Sequence, residues 1–345
     1  MPTDLPWDPS ELEAAARHHL TPEAATYYET TAVHPPTRDN ERAWAMWRFV
    51  PRFGVDVSAV STATSFFGHA APAPLLLAPC AFGGYAHPDG EWAAARGAAR
   101  TGTPYVVSSA STKEQVTVPG ASSTPCWCQV YVPRADTDLE RVVRGAEESG
   151  FQAIVVTVDA PIGSLRRRGY IPDADEHDPF EHARPSASPL NPAVTWRTLE
   201  RIVGMTQLPV LVKGVLHPGD ADAAIEHGVR GVVVSNHGSR QLDGVIPTAA
   251  VIEEIAAAVA GRGLVLVDGG VRSGRDVLRA LCLGADGALV GRPYLWALAV
   301  AGEEGVDLLL RRYHLELENA MALTGCCTVA DADRAMVRWY PYSAG

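Results

Sequence analysis

The pattern that most constrains the fold is an alternation of short apolar runs with segments of helical period, repeated eight times from residue 75 onward. The eight runs are LLLAP, YVVSS, WCQVYV, AIVVTVD, VLVKG, GVVVSN, LVLVDGG and GALVGR. Strands buried on both faces of a parallel sheet read as continuous apolar runs, because helices cover both faces. Eight such units predict an α/β fold, a (β/α)8 barrel of the TIM type.

The segments between the runs support this prediction. Several of them end in the glycine that commonly follows a helix, for example TDLERVVRGAEESG and SGRDVLRALCLG. A doubly wound sheet is the alternative, but it calls for a G-x-G-x-x-G fingerprint after the first strand. The first run continues as LLLAPCAFGG, which lacks that fingerprint. The barrel is therefore favoured.

The length of 345 residues accommodates one barrel of about 250 residues with additions. Residues 1–74 precede the first run and contain helical segments near SELEAAARHHL and PEAATYYET. We expect this N-terminal helical extension to cap one end of a barrel that spans residues 75–345, the whole forming a single domain. Residues 169–192 are rich in Pro, Asp and His without apolar period, which indicates a surface loop.

Composition excludes several classes of function. The net charge is −11 and the pI is near 5.5, which argues against a nucleic-acid partner. No apolar run approaches the roughly 20 residues that span a bilayer, and the acidic start lacks a signal-peptide core. We therefore expect a cytoplasmic protein without a membrane partner. The six Cys match neither zinc-ligand spacing nor a disulfide framework, so we expect reduced thiols and no metal.

Polar residues cluster at the ends of the predicted strands. In a barrel of this kind the active site lies at the carboxyl ends of the strands, so these residues are expected to converge. A Lys, a His, an Asp, a Tyr and several Arg on one face would supply a base, its charge partner, a hydroxyl donor and an anion clamp. The strand-end residues are Pro79, Cys80, Ala81, Ser108, Ser109, Gln129, Tyr131, Thr157, Asp159, Lys213, Ser235, Asn236, His237, Arg240, Asp268, Arg272, Gly291 and Arg292.

The last two strands carry the features of a phosphate site. The glycines of DGGV and GADGALVGR allow backbone amides to approach a phosphate, and the loops after strands seven and eight are the usual phosphate site of such barrels. Arg272 and Arg292 lie beside these glycines. A phosphate-bearing cofactor is therefore expected.

Four stretches together resemble one known family. SNHGSRQLDG, LVKGV, LVDGGVRSGRDVLRALCLGADGALVGRP and APCAFGGYAHPDGE resemble the FMN-dependent 2-hydroxy acid oxidases and dehydrogenases. That family includes glycolate oxidase, lactate oxidase and mandelate dehydrogenase. The resemblance implies FMN as cofactor, a small 2-hydroxy acid as substrate, dioxygen as the second acceptor and a homo-oligomer, often a tetramer.

The resemblance also implies a role for each site residue. His237 would be the base with Asp159 as its partner, Arg240 and Arg166 would hold the substrate carboxylate, Tyr131 would donate to the substrate oxygen, and Lys213 would stabilise the reduced flavin. Arg167 remains an alternative to Arg166. The other implied cofactor contacts are Pro79, Cys80, Ala81, Ser108, Gln129, Thr157, Ser235, Asp268, Gly270, Arg272, Gly291 and Arg292.

Two departures from the family pattern bear on the substrate. Ala110 stands where glycolate oxidases carry a Trp, and the smaller side chain would open the pocket for a bulky, mandelate-like (S)-2-hydroxy acid. The N-terminal segment reads ATYYETTAVHPPTRDN and lacks the glycine turn of the family. Tyr28 best matches the Tyr that binds the carboxylate, with Tyr27 as the alternative.

Other functions stay open at this point. A dehydrogenase of the same family would use another electron acceptor. A non-redox FMN barrel of the isopentenyl diphosphate isomerase type would need a diphosphate site, and the pair His237 and Arg240 fits a carboxylate better. A protein that kept the cofactor site and lost catalysis would fail to reduce its flavin.

Overall fold

The computed structural model describes residues 5–29, 38–163 and 190–341. Eight parallel strands form a closed barrel in chain order, and the eighth pairs with the first through Val290 and Leu77. This confirms the predicted TIM barrel. The barrel strands are β4 (Leu75–Leu77), β5 (Tyr105–Val107), β6 (Cys126–Tyr131), β7 (Ile154–Thr157), β8 (Val210–Val215), β9 (Gly231–Val234), β10 (Leu264–Val267) and β11 (Gly287–Val290).

Helices surround the barrel and alternate with its strands except between β5 and β6, where two short 3-10 turns, Gln115–Thr117 and Pro119–Ala121, stand in place of an α-helix. Their buried residues recur at helical spacing, as Leu139, Val143 and Ala146 do in α5, because one stripe of each helix packs on the sheet. The last helix is broken by non-helical backbone at Ala301 and Gly302. The helices are α4 (Gly90–Arg100), α5 (Asp136–Glu148), α6 (Trp196–Met205), α7 (Pro218–Glu226), α8 (Ile252–Val259), α9 (Gly274–Cys282) and α10 (Arg292–Thr324).

The core has two layers, which the strands separate. Along β7, Val155 belongs to the cluster inside the barrel, while Ile154 and Val156 belong to the cluster between the strands and the helices. Successive side chains of a strand point to opposite faces. Both faces are apolar here, which explains why each strand reads as an uninterrupted apolar run.

Residues before the barrel form helices and short strands. The antiparallel hairpin of β2 and β3 lies at the amino end of the barrel, where Phe66 packs edge-on against Trp127 with ring centroids 6.0 Å apart. The division of the chain at residue 74 stays a prediction. The elements outside the barrel are α1 (Pro9–Arg17), α2 (Pro22–Glu29), α3 (Asp39–Met46), β1 (Trp47–Phe49), β2 (Thr64–Phe66), β3 (His69–Ala71) and β12 (Val337–Trp339), which pairs with β1.

Two findings concern absences within the described ranges. None of the helices there combines the length and the apolar character that crossing a bilayer requires. The same residues hold no group of three or more His, Cys, Asp or Glu side chains placed to bind a metal ion.

Candidate active site

A cavity of about 200 Å³ opens at the carboxyl ends of the barrel strands. Residues of α2 and of the loops after the strands line it. Fifteen residues predicted from the sequence are among them: Tyr28, Pro79, Cys80, Ala81, Ser108, Ala110, Tyr131, Lys213, His237, Arg240, Asp268, Gly270, Arg272, Gly291 and Arg292. The predicted residues Gln129, Thr157, Asp159 and Ser235 lie behind this lining, and Arg166 and Arg167 lie outside the described residues.

His237 and Asp159 form a hydrogen-bonded pair at the edge of the cavity. The His237 Nδ1 atom lies 3.0 Å from Asp159 Oδ1. Burial alone would raise the pKa of the Asp159 carboxyl, but the charge and hydrogen bond of His237 and the charge of Lys213 outweigh burial and lower it. Asp159 therefore remains a carboxylate. A Cβ on Gly214 would lie 2.5 Å from the Asp159 Cβ, so only glycine fits there.

The loop that carries His237 has an unusual backbone. His237, Gly238 and Ser239 all have left-handed conformations, with φ values of 56°, 64° and 62°. Such a conformation costs about 1–2 kcal/mol for each residue that is not glycine. The His237 amide donates to Ser235 Oγ at 3.1 Å, and Arg292 donates to the Gly238 carbonyl at 3.0 Å. These contacts hold a backbone that the local sequence does not favour.

Lys213 sits at the base of the cavity as a buried cation. Its Nζ atom lies 2.9 Å from Asp268 Oδ2 and donates to Ser235 Oγ at 2.7 Å. Burial works to lower the pKa of Lys213, but the negative charges of Asp268 and Asp159 raise it above its ordinary value. Lys213 is therefore protonated and can place a fixed positive charge beside a bound group.

Positive charge concentrates on the opposite wall of the cavity. Burial lowers the pKa of Arg292 to about 10, helped by the like charges of Arg272 and Arg240. Arg272 pairs with Glu41 at 2.7 Å, and its guanidinium lies 5.3 Å from the Trp296 ring centroid. One carboxylate among three guanidinium groups leaves excess positive charge, which an anion in the cavity would neutralise.

Gln129 and Thr157 are bonded to each other and to the rim. The Gln129 side chain donates to Thr157 Oγ1 at 2.9 Å and accepts from the Ser109 amide at 2.9 Å. Ser108 Oγ accepts from the Ala110 amide at 3.1 Å. Ordinary hydrogen bonding of the barrel rim accounts for these contacts, so the contacts to FMN that the resemblance implies for them stay predictions.

The structure distinguishes the two candidate tyrosines of α2. The Tyr28 hydroxyl is buried and donates to the Phe82 carbonyl at 2.6 Å. The Tyr27 ring faces Arg240, whose guanidinium carbon lies 5.0 Å from the ring centroid. Arg240 also donates to the Tyr28 carbonyl at 3.2 Å. Both rings line the cavity, but the Tyr28 hydroxyl already has a backbone partner.

An aromatic cluster that the sequence analysis did not assign to the substrate lies beside Ala110. Phe82 stacks on Tyr85 with centroids 5.2 Å apart, and Tyr27 meets Phe82 edge-on at 5.3 Å. Phe82 has a φ of 58°, and its amide donates to the Ala110 carbonyl at 2.9 Å. The aromatic residues of APCAFGGY were visible as a signal, but their meeting with Tyr27 depends on how α2 packs.

Comparison with known proteins identifies the family. The model of the FMN-dependent dehydrogenase family matches residues 16–339. This chain belongs to that family. An L-lactate oxidase of Nostoc sp. is 39% identical over an alignment 353 residues long, gaps included. The alignment covers 95% of this chain and 96% of that protein. Glycolate oxidase 1 of Oryza sativa subsp. indica is 37% identical, covering 95% and 94%.

Solved structures agree with these sequence relatives. A crystal structure of mandelate oxidase with (S)-4-hydroxymandelic acid superposes with a TM-score of 0.89 and 37% identity, covering 97% of this chain and 99% of the other. The resemblance that the sequence motifs predicted is thereby confirmed.

FMN is the cofactor of this family, and the cavity of this FMN-dependent family member fits it. The buried Asp268 Oδ1 atom has no hydrogen-bond partner in the described part of the chain, while Oδ2 binds Lys213. A ribityl hydroxyl would satisfy that oxygen. Arg272 and Arg292, which line the cavity beside the left-handed Gly270, would supply the charge for the phosphate.

Proposed function

We propose that this protein oxidises a 2-hydroxy acid to the corresponding 2-oxo acid, with dioxygen as the final acceptor and hydrogen peroxide as the second product. The observation that carries the proposal is the hydrogen-bonded pair of His237 and Asp159 in the same cavity as Arg240. A base, its anionic partner and a guanidinium are the groups that oxidation of a carboxylate-bearing alcohol needs. FMN, when bound, accepts the two electrons of the oxidation.

His237 acts as the base that takes the substrate proton. Asp159 stays ionised and therefore favours the imidazolium that forms when the proton arrives. The bond between Nδ1 and Asp159 also fixes the ring orientation, which leaves Nε2 as the nitrogen that can receive the proton. Lys213 contributes a protonated amine near the floor of the cavity, which favours negative charge on the reduced cofactor.

Arg240 holds the substrate carboxylate as a bidentate pair. The Tyr27 ring and the Tyr28 carbonyl orient its guanidinium. Because the Tyr28 hydroxyl donates to Phe82, we propose that Tyr27 contacts the carboxylate and that Tyr28 supports the wall. Tyr131, which lines the cavity, donates to the substrate oxygen. Arg166 is proposed as the second carboxylate ligand.

We propose an aromatic substrate of the (S)-mandelate type. The small side chain of Ala110 leaves room beside Phe82 and Tyr27, and aromatic rings favour edge or offset contacts with one another. The structural relatives named mandelate oxidase support this choice. The L-lactate oxidase and glycolate oxidase relatives favour smaller acids instead, so the test includes both kinds.

The test is an anaerobic visible spectrum of the yellow protein with (S)-mandelate, (S)-4-hydroxymandelate, (S)-lactate and glycolate in turn, followed by air. We expect bleaching fastest with the aromatic acids and rapid return of colour in air. Bleaching without return of colour would indicate a dehydrogenase. A flavin that none of the acids bleaches would contradict the proposed function.

Two further properties are proposed together with the activity. We propose a homo-oligomer, a tetramer by analogy with the family, which light scattering of the purified protein tests directly. We also propose a cytoplasmic location, which cell fractionation tests.

A further inference from the structure

Asn40 connects the segment before the barrel to the loop that carries His237. It is buried in the first turn of α3, and its side chain forms a reciprocal pair with Asn236. Asn40 Nδ2 donates to Asn236 Oδ1 at 2.9 Å, and Asn236 Nδ2 donates to Asn40 Oδ1 at 2.8 Å. Asn40 Nδ2 also donates to Ser239 Oγ at 3.3 Å. Three hydrogen bonds thus join one side chain to both ends of the turn.

The turn between those ends is the strained part of the site. His237, Gly238 and Ser239 are all left-handed, and the Asn236 side chain accepts from the Ser239 amide at 3.3 Å. The Ser239 amide also donates to the Asn236 carbonyl at 2.9 Å, and Asn236 Nδ2 donates to the Ile246 carbonyl at 3.3 Å. To these contacts Asn40 adds the link from α3 that joins the Asn236 side chain to Ser239 Oγ. Without it, the turn could relax toward ordinary backbone conformations and move the His237 ring away from Asp159.

We propose that Asn40 is a positioning residue for His237, an inference that rests on the proposed function. Asn40 does not line the cavity, so it acts through Asn236 and Ser239 rather than on the substrate. A displacement of a reacting group by about 1 Å lowers a rate by about a hundredfold. Loss of Asn40 is therefore expected to lower the rate of flavin reduction.

Asn40 should affect the rate more than binding. Arg240, which is proposed to hold the carboxylate, has its own contacts with Tyr27 and the Tyr28 carbonyl. The glycines of the proposed phosphate site have a contact from another residue of α3, because Trp44 donates to the Gly269 carbonyl at 2.7 Å. The Asn40 amide reaches this region through one intermediate: Asn40 Oδ1 accepts from the Thr248 amide at 3.4 Å, and Thr248 Oγ1 donates to the Asp268 carbonyl at 2.6 Å. We therefore expect a smaller effect on flavin binding than on the rate.

The experiment compares Asn40→Ala and Asn40→Asp with wild type. Asp keeps the shape and can accept hydrogen bonds, but it cannot donate to Asn236 Oδ1. Arg42→Ala is the matched control on α3, because its side chain is 70% exposed and, among the described residues, forms a long ion pair of 3.9 Å with Asp39. The readouts are the rate constant of anaerobic bleaching at saturating acid, the affinity for benzoylformate, Tm, and hydrogen exchange of peptides covering 236–240.

We expect both Asn40 variants to bind flavin and benzoylformate within about threefold of wild type and to bleach ten- to a hundredfold more slowly. Exchange should accelerate at 236–240 and remain unchanged in the barrel strands. If Asn40→Ala does not fold, the bleaching rate and the loop exchange of Asn40→Asp test the inference. A lowered Tm with the bleaching rate and loop exchange of wild type would mean a merely structural residue and would overturn the inference.

Failure of the proposed function gives a different result. If no acid bleaches the wild-type protein, the proposed function fails, while hydrogen exchange at 236–240 still tests whether Asn40 holds the turn. Wild-type exchange in both variants would then overturn the inference by itself.

Discussion

The two ends of the barrel are built from opposite kinds of contact. At the amino end, Phe66 of the β2–β3 hairpin packs edge-on against Trp127 and belongs with Leu76 to the apolar cluster inside the strands. At the carboxyl end, buried charges meet, and Asp159 Oδ2 and Asp268 Oδ1 lack hydrogen-bond partners among the described residues. Left-handed backbone at residues other than glycine occurs at both ends, at Phe67 in the hairpin turn and at Phe82, His237 and Ser239 beside the cavity. The amino end is thus dominated by apolar packing, and the carboxyl end by buried charges with unsatisfied polar atoms.

Because of this difference, mutations at the two ends are expected to change different quantities: the free energy of unfolding at the amino end, and the reaction at the carboxyl end. Apolar burial contributes to the free energy of unfolding wherever it occurs. Unsatisfied buried polar atoms and strained backbone lower that free energy and are typical of functional sites. Substitutions at the amino end should therefore change stability alone, and those at the carboxyl end should change the reaction first.

The largest effect is expected from His237→Ala. Removal of the proposed base should lower the rate of anaerobic flavin bleaching by about a thousandfold or more. Flavin binding should persist, because Lys213 and the cavity arginines are untouched. The matched control is His227→Ala, since His227 pairs with Glu200 on the surface away from the cavity. If the His237→Ala variant bleached near the wild-type rate, His237 would not be the base.

The second effect belongs to the amino end. Phe66 is 2% exposed, and Phe66→Ala should lower the free energy of unfolding by about 3 to 4 kcal/mol because it removes a buried ring and leaves a cavity. Urea unfolding measures this change, and the bleaching rate should stay within twofold of wild type. Phe53→Ala is the control, since Phe53 is 100% exposed. A slower reaction with an unchanged free energy of unfolding would contradict the expectation that the amino end affects stability alone.

Much of the carboxyl end was predictable from the sequence because local pattern determined it. The apolar runs located the strands, and parallel strands bring their carboxyl ends to one face, so His237 and Asp159 could be expected to meet despite their separation in the chain. The apolar alternation did not delimit α10 or locate its break at Ala301 and Gly302, where a Cβ on Gly302 would lie 3.1 Å from His87 Nε2.

The parts that escaped prediction depend on contacts between distant segments. The pairing of β1 with β12 joins Trp47 to Trp339. Asn40 looks like an ordinary polar residue of a helix start, and only the packing of α3 brings it to Asn236. The family pattern favours Tyr28 over Tyr27 as the carboxylate ligand, which stays a prediction, but the pattern could not reveal that the Tyr28 hydroxyl donates to the Phe82 carbonyl.

A smaller effect is expected where the carboxyl end sets specificity. Ala110→Trp should fill the space beside Phe82 and lower the rate with (S)-mandelate relative to glycolate by about tenfold or more, because a filled pocket excludes the ring. Competition between the two acids for flavin reduction measures the ratio. Ala121→Trp, outside the cavity, controls for the added bulk. An unchanged ratio would mean that Ala110 does not face the substrate ring.

The smallest effect concerns a partly buried base outside the cavity, His314. Burial, with the charge of Arg311, lowers the pKa of His314 from 6.5 to about 4, and its Nε2 atom lies 3.5 Å from Thr103 Oγ1 just before β5. The unfolded chain therefore binds a proton between pH 6.5 and 4 that the folded chain does not, so stability falls as pH falls through that window.

His314→Gln removes this titration and keeps a polar side chain. We expect the variant to lose less Tm than wild type between pH 7 and pH 5, by about 1 to 2 °C, which for a chain of 345 residues corresponds to about 1 kcal/mol for a partly exposed group. His69→Gln is the control, because His69 is exposed on β3. Bleaching rates should match wild type in both variants at neutral pH. Parallel Tm curves for wild type and His314→Gln would show that the imidazole is not protonated on unfolding, and a slower reaction would show that a side chain outside the cavity affects the chemistry.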